Sequence, residues 1–526
     1  MRIRTLAAII AIGLALSFQA AAQMPDDNTL VVAQSVDAST LDPADTGSRP
    51  EANIAAHLWG ALVQTTSDGD IVPYFAESWS TSDDGTEITF QLAPGLQCHD
   101  GEPLTAVDAA YTFNRAADPE LAFTGNTPGF IFSSLGFVEA RADSDLDVTI
   151  VMRQRNPIAL GLIGEVFVHC KDSYEAMTKD EAADNPVGSG AYRFVEWIKD
   201  DRIVLERVAD YPFAVEGAFD RIVWRVIPEA STRAAELMAG NVDIVANVSP
   251  DQADTINASG RAEVQDVAGT RRIYVGFNLR DEFAAAHDNP VAIEAINNTL
   301  VRRAMNHAVD VETICTQLLG TDCERATGLV NPPNDHPDLE PYAFDPERAE
   351  QLLDEAGYPR GADGVRFTIR LQSPNNRYLN DANVALAVGQ YLSDVGIDTE
   401  VDLLDFSSVY VPLIVGGNMA GPLFLLGSGG ATWNALYDMA DLSAVDAGTN
   451  YTGWANPDWY SGWDRIAATT DEAEQRVIID EMLQVFYDDA PWLMMYFQPD
   501  FYGISTRIDW EARRDEKVIV TEATLR

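Results

Sequence analysis

Residues 221–245 read RIVWRVIPEASTRAAELMAGNVDIV, and the order of residue types in that stretch decides the fold class. Ile222, Val223, Trp224, Val226 and Ile227 are β-branched or aromatic, the composition of a strand. Pro228 ends the run, because it brings no N–H to a ladder yet suits the opening of a helix. Residues 229–239 are rich in Ala, Leu and Met, and Gly240 stands where a helix C-terminus takes a left-handed residue. Residues 242–245 then return to strand. Strand, helix and strand in immediate succession are the repeating unit of an α/β protein.

The same alternation extends in both directions. Residues 29–36 are β-rich, and residues 87–92 alternate, with Ile88, Phe90 and Leu92 on one face after an Asp83-Asp84-Gly85 hairpin turn. Further strands are expected at 148–152, 203–207 and 273–278. Asp345-Pro346 opens a helix that carries Ala349, Leu352, Leu353 and Ala356 on one face and stops at Gly357. A helix over 380–395 lies between strands at 367–371 and 399–403, and 472–488 forms the last long helix. No repeat, low-complexity tract or Gly/Ser linker divides the chain. The halves are therefore expected to be joined by ordered strands, crossing at 277–280 and 494–497.

The N-terminus has the layout of a cleaved secretory signal: Arg2 and Arg4, an apolar run over 6–18, then Ala20-Ala21-Ala22 before Gln23. No cysteine follows it, so a lipid anchor is not expected, and no other segment has the apolar length of a membrane helix. The mature chain is expected to be soluble. It is too long for one ordinary core. The chain holds 35 basic and 82 acidic residues, a formal net charge of -47, which repels phosphate backbones and argues against nucleic acid as a partner. The acids are spread through patterned segments, and 46% of residues are hydrophobic, so disorder is the wrong reading. Four cysteines in an exported chain point to disulfides. Cys315 and Cys323 close a short loop and make the easiest pair, leaving Cys98 with Cys170. The rival is zinc on Cys98-His99 and His169-Cys170, awkward because neighbours in the chain diverge.

There is no G-x-S-x-G elbow, no H-E-x-x-H helix, no Walker loop and no dinucleotide glycine fingerprint. Carboxylate pairs carry little information in so acidic a chain. Neither an enzyme nor a cofactor is expected.

Several ordered segments carry a resemblance. Ser39-Thr40-Leu41-Asp42-Pro43, VPYFAESW at 72–79, HDGEPLTAVD at 99–108, NPVGSGAYRF at 185–194, Gly240-Asn241-Val242-Asp243 and VRRAMN at 301–306 follow one another as in the periplasmic extracellular solute-binding proteins of ABC importers. The chain resembles that family (family 5, cluster C type), which includes dipeptide, oligopeptide and nickel binders. The resemblance implies a bilobal periplasmic-binding-protein fold of class α/β, with two hinge-linked lobes and an extra subdomain inserted in the first. It implies a small-molecule ligand, permease subunits of an ABC importer in the inner membrane as partners, a periplasmic location and a monomer. The expected division is signal peptide 1–22, first lobe 23–72 and 185–278, inserted subdomain 73–184, second lobe 279–493, and a return to the first lobe over 494–526.

The expected site follows from the same alignment. The loop 373–381 lies after a strand and before a helix, where open α/β sheets place ligand loops. There Arg377 resembles the arginine by which dipeptide binders hold a carboxylate, with Tyr378 on the same wall. The acid that holds a peptide's ammonium in that branch is absent, with Gly429 or Gly430 near its place. Unpaired, a buried ammonium is costly, which argues for a small polar solute, anionic or zwitterionic, over an ordinary peptide. Gly429 and Gly430 would open the pocket floor, Trp433 would stack on the ligand, and Ser428 and Asn434 would orient it. Ser189, between two glycines, and Thr46, Arg49, Trp59 and Asn278 complete the candidate set. No metal is expected. The rivals are a short-peptide binder, a metal-chelate binder, a secreted hydrolase and an accessory to a chemoreceptor.

Overall fold

Two long strands, Ala262–Phe277 and Trp492–Ser505, pair antiparallel in the middle of a ten-stranded sheet. The computed structural model describes residues 28–213, 217–286, 289–323, 325–332, 334–415, 421–429, 434–442, 447 and 449–526. The strand Ala262–Phe277 changes character along its length. From Glu263 to Ala268 it is partly exposed, and from Gly269 onward it is buried on both faces. Between those stretches the register slips, with Ala268 opposite Pro499 but Arg272 opposite Phe497. Such a bulge bends the strand and re-aims its side chains.

On one side of this ribbon lie Leu423–Gly429, Phe367–Asn375 and Ile397–Asp405, the last two parallel to each other. On the other side lie Ile244–Val245, Thr29–Gln34, Arg221–Val226, Arg202–Arg207 and Tyr192–Ile198. Thr29–Gln34 is parallel to both of its neighbours, as the strand–helix–strand unit requires. The helix of that unit, Ala230–Ala239, ends at Gly240 with φ 82°. Asp345 caps Pro346–Glu355 by accepting from the Arg348 N–H at 2.9 Å.

A second sheet stands apart: Ala76–Thr81, Glu87–Leu92, Asp147–Met152 and Phe137–Ala142, all antiparallel. Ile88, Phe90 and Leu92 are its buried face, and Gly85 at φ 73° turns the first hairpin. Burial divides into three cores. One gathers Leu30, Leu58, Trp59 and Trp224. Another gathers Val301, Met305, Leu353, Leu371 and Leu425. The third runs from Phe90, Phe113 and Leu162 into Trp459 and Phe486 of the second half.

Cys98 is bonded to Cys170 and Cys315 to Cys323. His99 turns to the Gly190 carbonyl and His169 to Asp42, so the zinc set weighed above does not converge. Two elements depart from the sequence reading. The long strand starts at Ala262, eleven residues before the expected 273, because its first half is too exposed to leave an apolar signature. Leu423–Gly429 is a paired strand whose last residues border the cavity described below. The N-terminal 22 residues lie outside the described ones. No described helix is long and apolar enough to cross a membrane.

Candidate functional site

A cavity of about 570 Å³ opens between the two halves of the large sheet, with the small sheet's unit closing its rim. That volume is within the range of small-molecule sites, about 300–1,000 Å³. Its first wall is the loop 39–48 and the start of helix Arg49–Leu58. Glu51 fixes this wall, accepting from the N–H groups of Ser39, Gly47 and Ser48 at 2.8, 2.8 and 2.9 Å. Thr46 and Arg49 face the cavity from it. Arg49 reaches Glu165 at 3.8 Å, while Lys517 holds the same carboxylate at 2.8 Å.

The opposite wall is built around Arg377. Its loop joins Phe367–Asn375 to helix Asp381–Asp394, and Asn376 and Asn380 take left-handed φ values of 68° and 53° there. Asp381 accepts from the N–H groups of Asn376, Arg377 and Tyr378 at 3.0, 2.8 and 3.0 Å, which locks the loop backbone. The guanidinium lies over the rings of Tyr378 and Phe406, 4.9 and 5.6 Å from their centroids. Among the described residues it forms no ion pair, and its Nε has no partner. Arg377 is only 6% exposed. Burial and then the neighbouring Arg271 push its pKa down.

Between the walls stand Arg271 and Arg272, side by side at the bulge and both lining the cavity. Arg271 donates to Glu516 at 2.6 Å and to the Gly427 carbonyl at 3.0 Å. Burial alone would raise the Glu516 carboxyl, but Arg271, with Arg377 and Arg49 farther off, holds it below the usual range. Arg272 is paired with acids: it donates to Asp438 at 2.9 Å and to Asp441 and Ser428 at 3.1 Å, leaving only its Nε without a partner among the described residues. Tyr274, Tyr437 and Tyr451 also line the cavity. Burial pushes all three phenols up, helped by Asp441 at Tyr274 and Tyr451 and by Glu165 at Tyr437, so their hydroxyls are able to donate; none has a hydrogen-bond partner among the described residues.

Six of the expected residues meet in this one cavity: Thr46, Arg49, Arg377, Tyr378, Ser428 and Gly429. Gly430 and Trp433 lie outside the described residues. Four others are placed elsewhere; three have a local structural role for the side chain, while the buried side-chain amide of Asn278 has no partner among the described residues. Trp59 is 1% exposed in a lobe core, its indole N–H donating to the Val187 carbonyl at 3.2 Å. Ser189 is buried and donates to Val168; its flanking glycines exist because a Cβ at 188 would meet the Leu58 oxygen at 2.0 Å. Asn278 is 1% exposed and its N–H donates to the Pro422 carbonyl. Asn434 caps helix Ala435–Met439. Sequence reasoning missed Arg271, Arg272, Glu165, Asp441, Glu516 and the tyrosines. One signal was present, since Arg271-Arg272 is a doublet of cations in a chain dominated by acids.

Two lobes that share two long strands and enclose a cavity of this size define a bilobal binding protein. The model of bacterial extracellular solute-binding proteins, family 5 (middle), matches residues 70–461, and the chain belongs to that family. The resemblance read in the sequence is borne out. The glutathione-binding protein GsiB of Pectobacterium atrosepticum is 25% identical over 473 residues, covering 87% of this chain and 86% of that one. The same fold is seen in DppA from Helicobacter pylori in complex with the peptide STSA, at TM-score 0.82 and 21% identity, with 94% and 98% of the two chains covered. AgaA from A. tumefaciens R10, in complex with agropinic acid, gives TM-score 0.82 and 21% identity over 95% and 99%.

Proposed function

We propose that this chain is the substrate-binding component of an ABC importer and that it takes a small polar solute by a carboxylate, which Arg377 holds. The observation that carries this is a nine-tenths buried guanidinium, aimed into a cavity, with no acidic partner. A buried charge without a counter-charge is costly, and arginine is built to grip a carboxylate through two parallel N–H groups. The ligand then completes what the fold leaves open. The unpartnered tyrosine hydroxyls add donors for the rest of a polar solute. Closure follows if the solute touches both lobes, with the two long strands bending at 268–272 and 497–499, where the register slips. On this reading the lobe boundary falls at that bulge, short of 277–280. The protein works in the periplasm as a monomer, performs no chemistry, and hands its ligand to permease subunits.

Relatives that bind glutathione and agropinic acid make those two solutes the first to try. Mass spectrometry of the native protein from its source should find a carboxylate-bearing solute in the site. With that solute, Arg377→Ala should weaken binding about tenfold to a hundredfold. An Arg377→Ala variant that binds as tightly as the parent removes the proposal. A short peptide is the second reading, favoured by Asp441, an acid inside the cavity that an ammonium could approach. Asp441 already serves Arg272 and Ser428, which is why it ranks second.

A further inference from the structure

The balance of charge around Arg377 goes further than one carboxylate. Among the described residues, the ion pairs of Arg49, Arg271, Arg377 and Lys517 go to two carboxylates, Glu165 and Glu516. Glu516 is taken by Arg271 through both oxygens. Glu165 is taken by Lys517 at 2.8 Å, leaving Arg49 at 3.8 Å, beyond hydrogen-bond distance. The neighbouring acids do not redress this. Asp381 spends its oxygens on backbone N–H groups, and Asp515 is paired with Arg513 at 2.7 Å. Asp500 accepts from the Gln498 side chain at 2.9 Å and makes no ion pair among the described residues; burial, and then Glu516 beside it, raise its carboxyl.

Among the described residues Arg49 and Arg377 are thus the two cations of this group without a hydrogen-bonded acid, and they belong to different lobes. Arg49 starts the first-lobe helix and Arg377 sits on a second-lobe loop. Neither comes within ion-pair distance of Glu516, which Arg271 holds and which both feel only at longer range. We infer that the ligand is a dicarboxylate, one acid group bound by Arg377 and the second by Arg49, so that the two charges tie the lobes together. This rests on the Arg377 reading above and adds Arg49 as the residue that selects a second acid group. It also gives closure a cause, because a solute with one carboxylate satisfies one lobe alone.

Matched pairs separate the two claims: glutarate against glutaramate, N-acetylglutamate against N-acetylglutamine, and Ala-Glu against Ala-Gln, each titrated calorimetrically into the full chain. At least one diacid should bind about tenfold to a hundredfold tighter than its monoamide. Arg49→Gln should bring that diacid down to the level of the monoamide, abolishing the preference, whereas Arg377→Gln should weaken both by a similar factor. Arg49→Lys, which keeps the charge but not the fork, should retain part of the preference and guards against a misfolded glutamine variant. If the diacid preference survives Arg49→Gln, or if monoamides bind and no diacid binds tighter, the second carboxylate site is wrong and the Arg377 reading stands. Equal loss of inorganic phosphate binding in both variants, with no diacid preference, would mean a single shared anion site and overturns it as well. Should none of these carboxylates bind and Arg377→Gln change nothing, both readings fall.

Discussion

Arg272 and Arg377 line the same cavity and are almost equally buried, at 1% and 6% exposure, yet they are opposites. Arg272 meets Asp438, Asp441 and Ser428, and Asp438 in turn accepts from the Asn331 N–H at 2.9 Å. Arg377 meets two aromatic rings and no acid. Stability needs the first kind of arginine, since removing one member of a buried pair strands the other charge. Function needs the second kind, because only an unpaired group has something to gain from a ligand. The difference between the two sides of one cavity is therefore a difference between an arginine that the fold pairs with acids and one that, on the proposed function, a ligand pairs.

That contrast can be broken by experiment. The largest effect should come from Arg272→Ala, which leaves Asp438 buried and unpaired and should cost about 3–5 kcal/mol in urea unfolding. Arg377→Ala should leave the unfolding midpoint of the ligand-free protein unchanged or raise it. Equal destabilisation by the two substitutions would erase the distinction.

His57 extends the comparison to a satisfied group far from the cavity. Its Nδ1 faces the Asn53 carbonyl at 2.7 Å, and its Nε2 accepts from the Val520 N–H at 2.9 Å, so a second ring proton has no acceptor. Burial pushes its pKa down from 6.5 to about 4. The unfolded chain then takes up a proton that the fold rejects. This contribution is whole above pH 6.5 and is lost as pH falls toward 4, by about 3 kcal/mol. Urea unfolding at pH 7.5 and 4.5 should show this loss, and His57→Gln, which can keep both hydrogen bonds, should show a shallower one. An unchanged slope in the variant would acquit His57.

The smallest effect belongs to an unsatisfied hydroxyl. Tyr451→Phe should leave the unfolding midpoint where it was and weaken ligand binding about two- to tenfold. A drop in stability without loss of affinity would place Tyr451 among the satisfied groups.

Much of the architecture was legible because it is written locally. Proline, glycine and cap residues bracket the helices Ala230–Ala239 and Pro346–Glu355 to within a residue or two of their expected bounds. The loop carrying Arg377 was legible for a related reason: a strand-to-helix junction is visible in the chain and is where such sheets keep ligand loops. The errors were also local. Trp59, Ser189 and Asn434 belong to residue types that bind ligands, and here each serves a core, a close backbone approach or a helix cap. No feature near them in the chain separates the two uses.

The amino-acid order alone determined the α/β class, the family, the four half-cystines and the arginine on the ligand loop, since each depends on patterns that span a few residues. Only the tertiary structure decided which charges are spent. Glu516 lies 245 residues from Arg271, and Glu165 lies 352 from Lys517. Whether an arginine is neutralised depends on partners that far along the chain, so Arg49 and Arg377, which have no hydrogen-bonded acid among the described residues, become visible only once the fold has paired the rest.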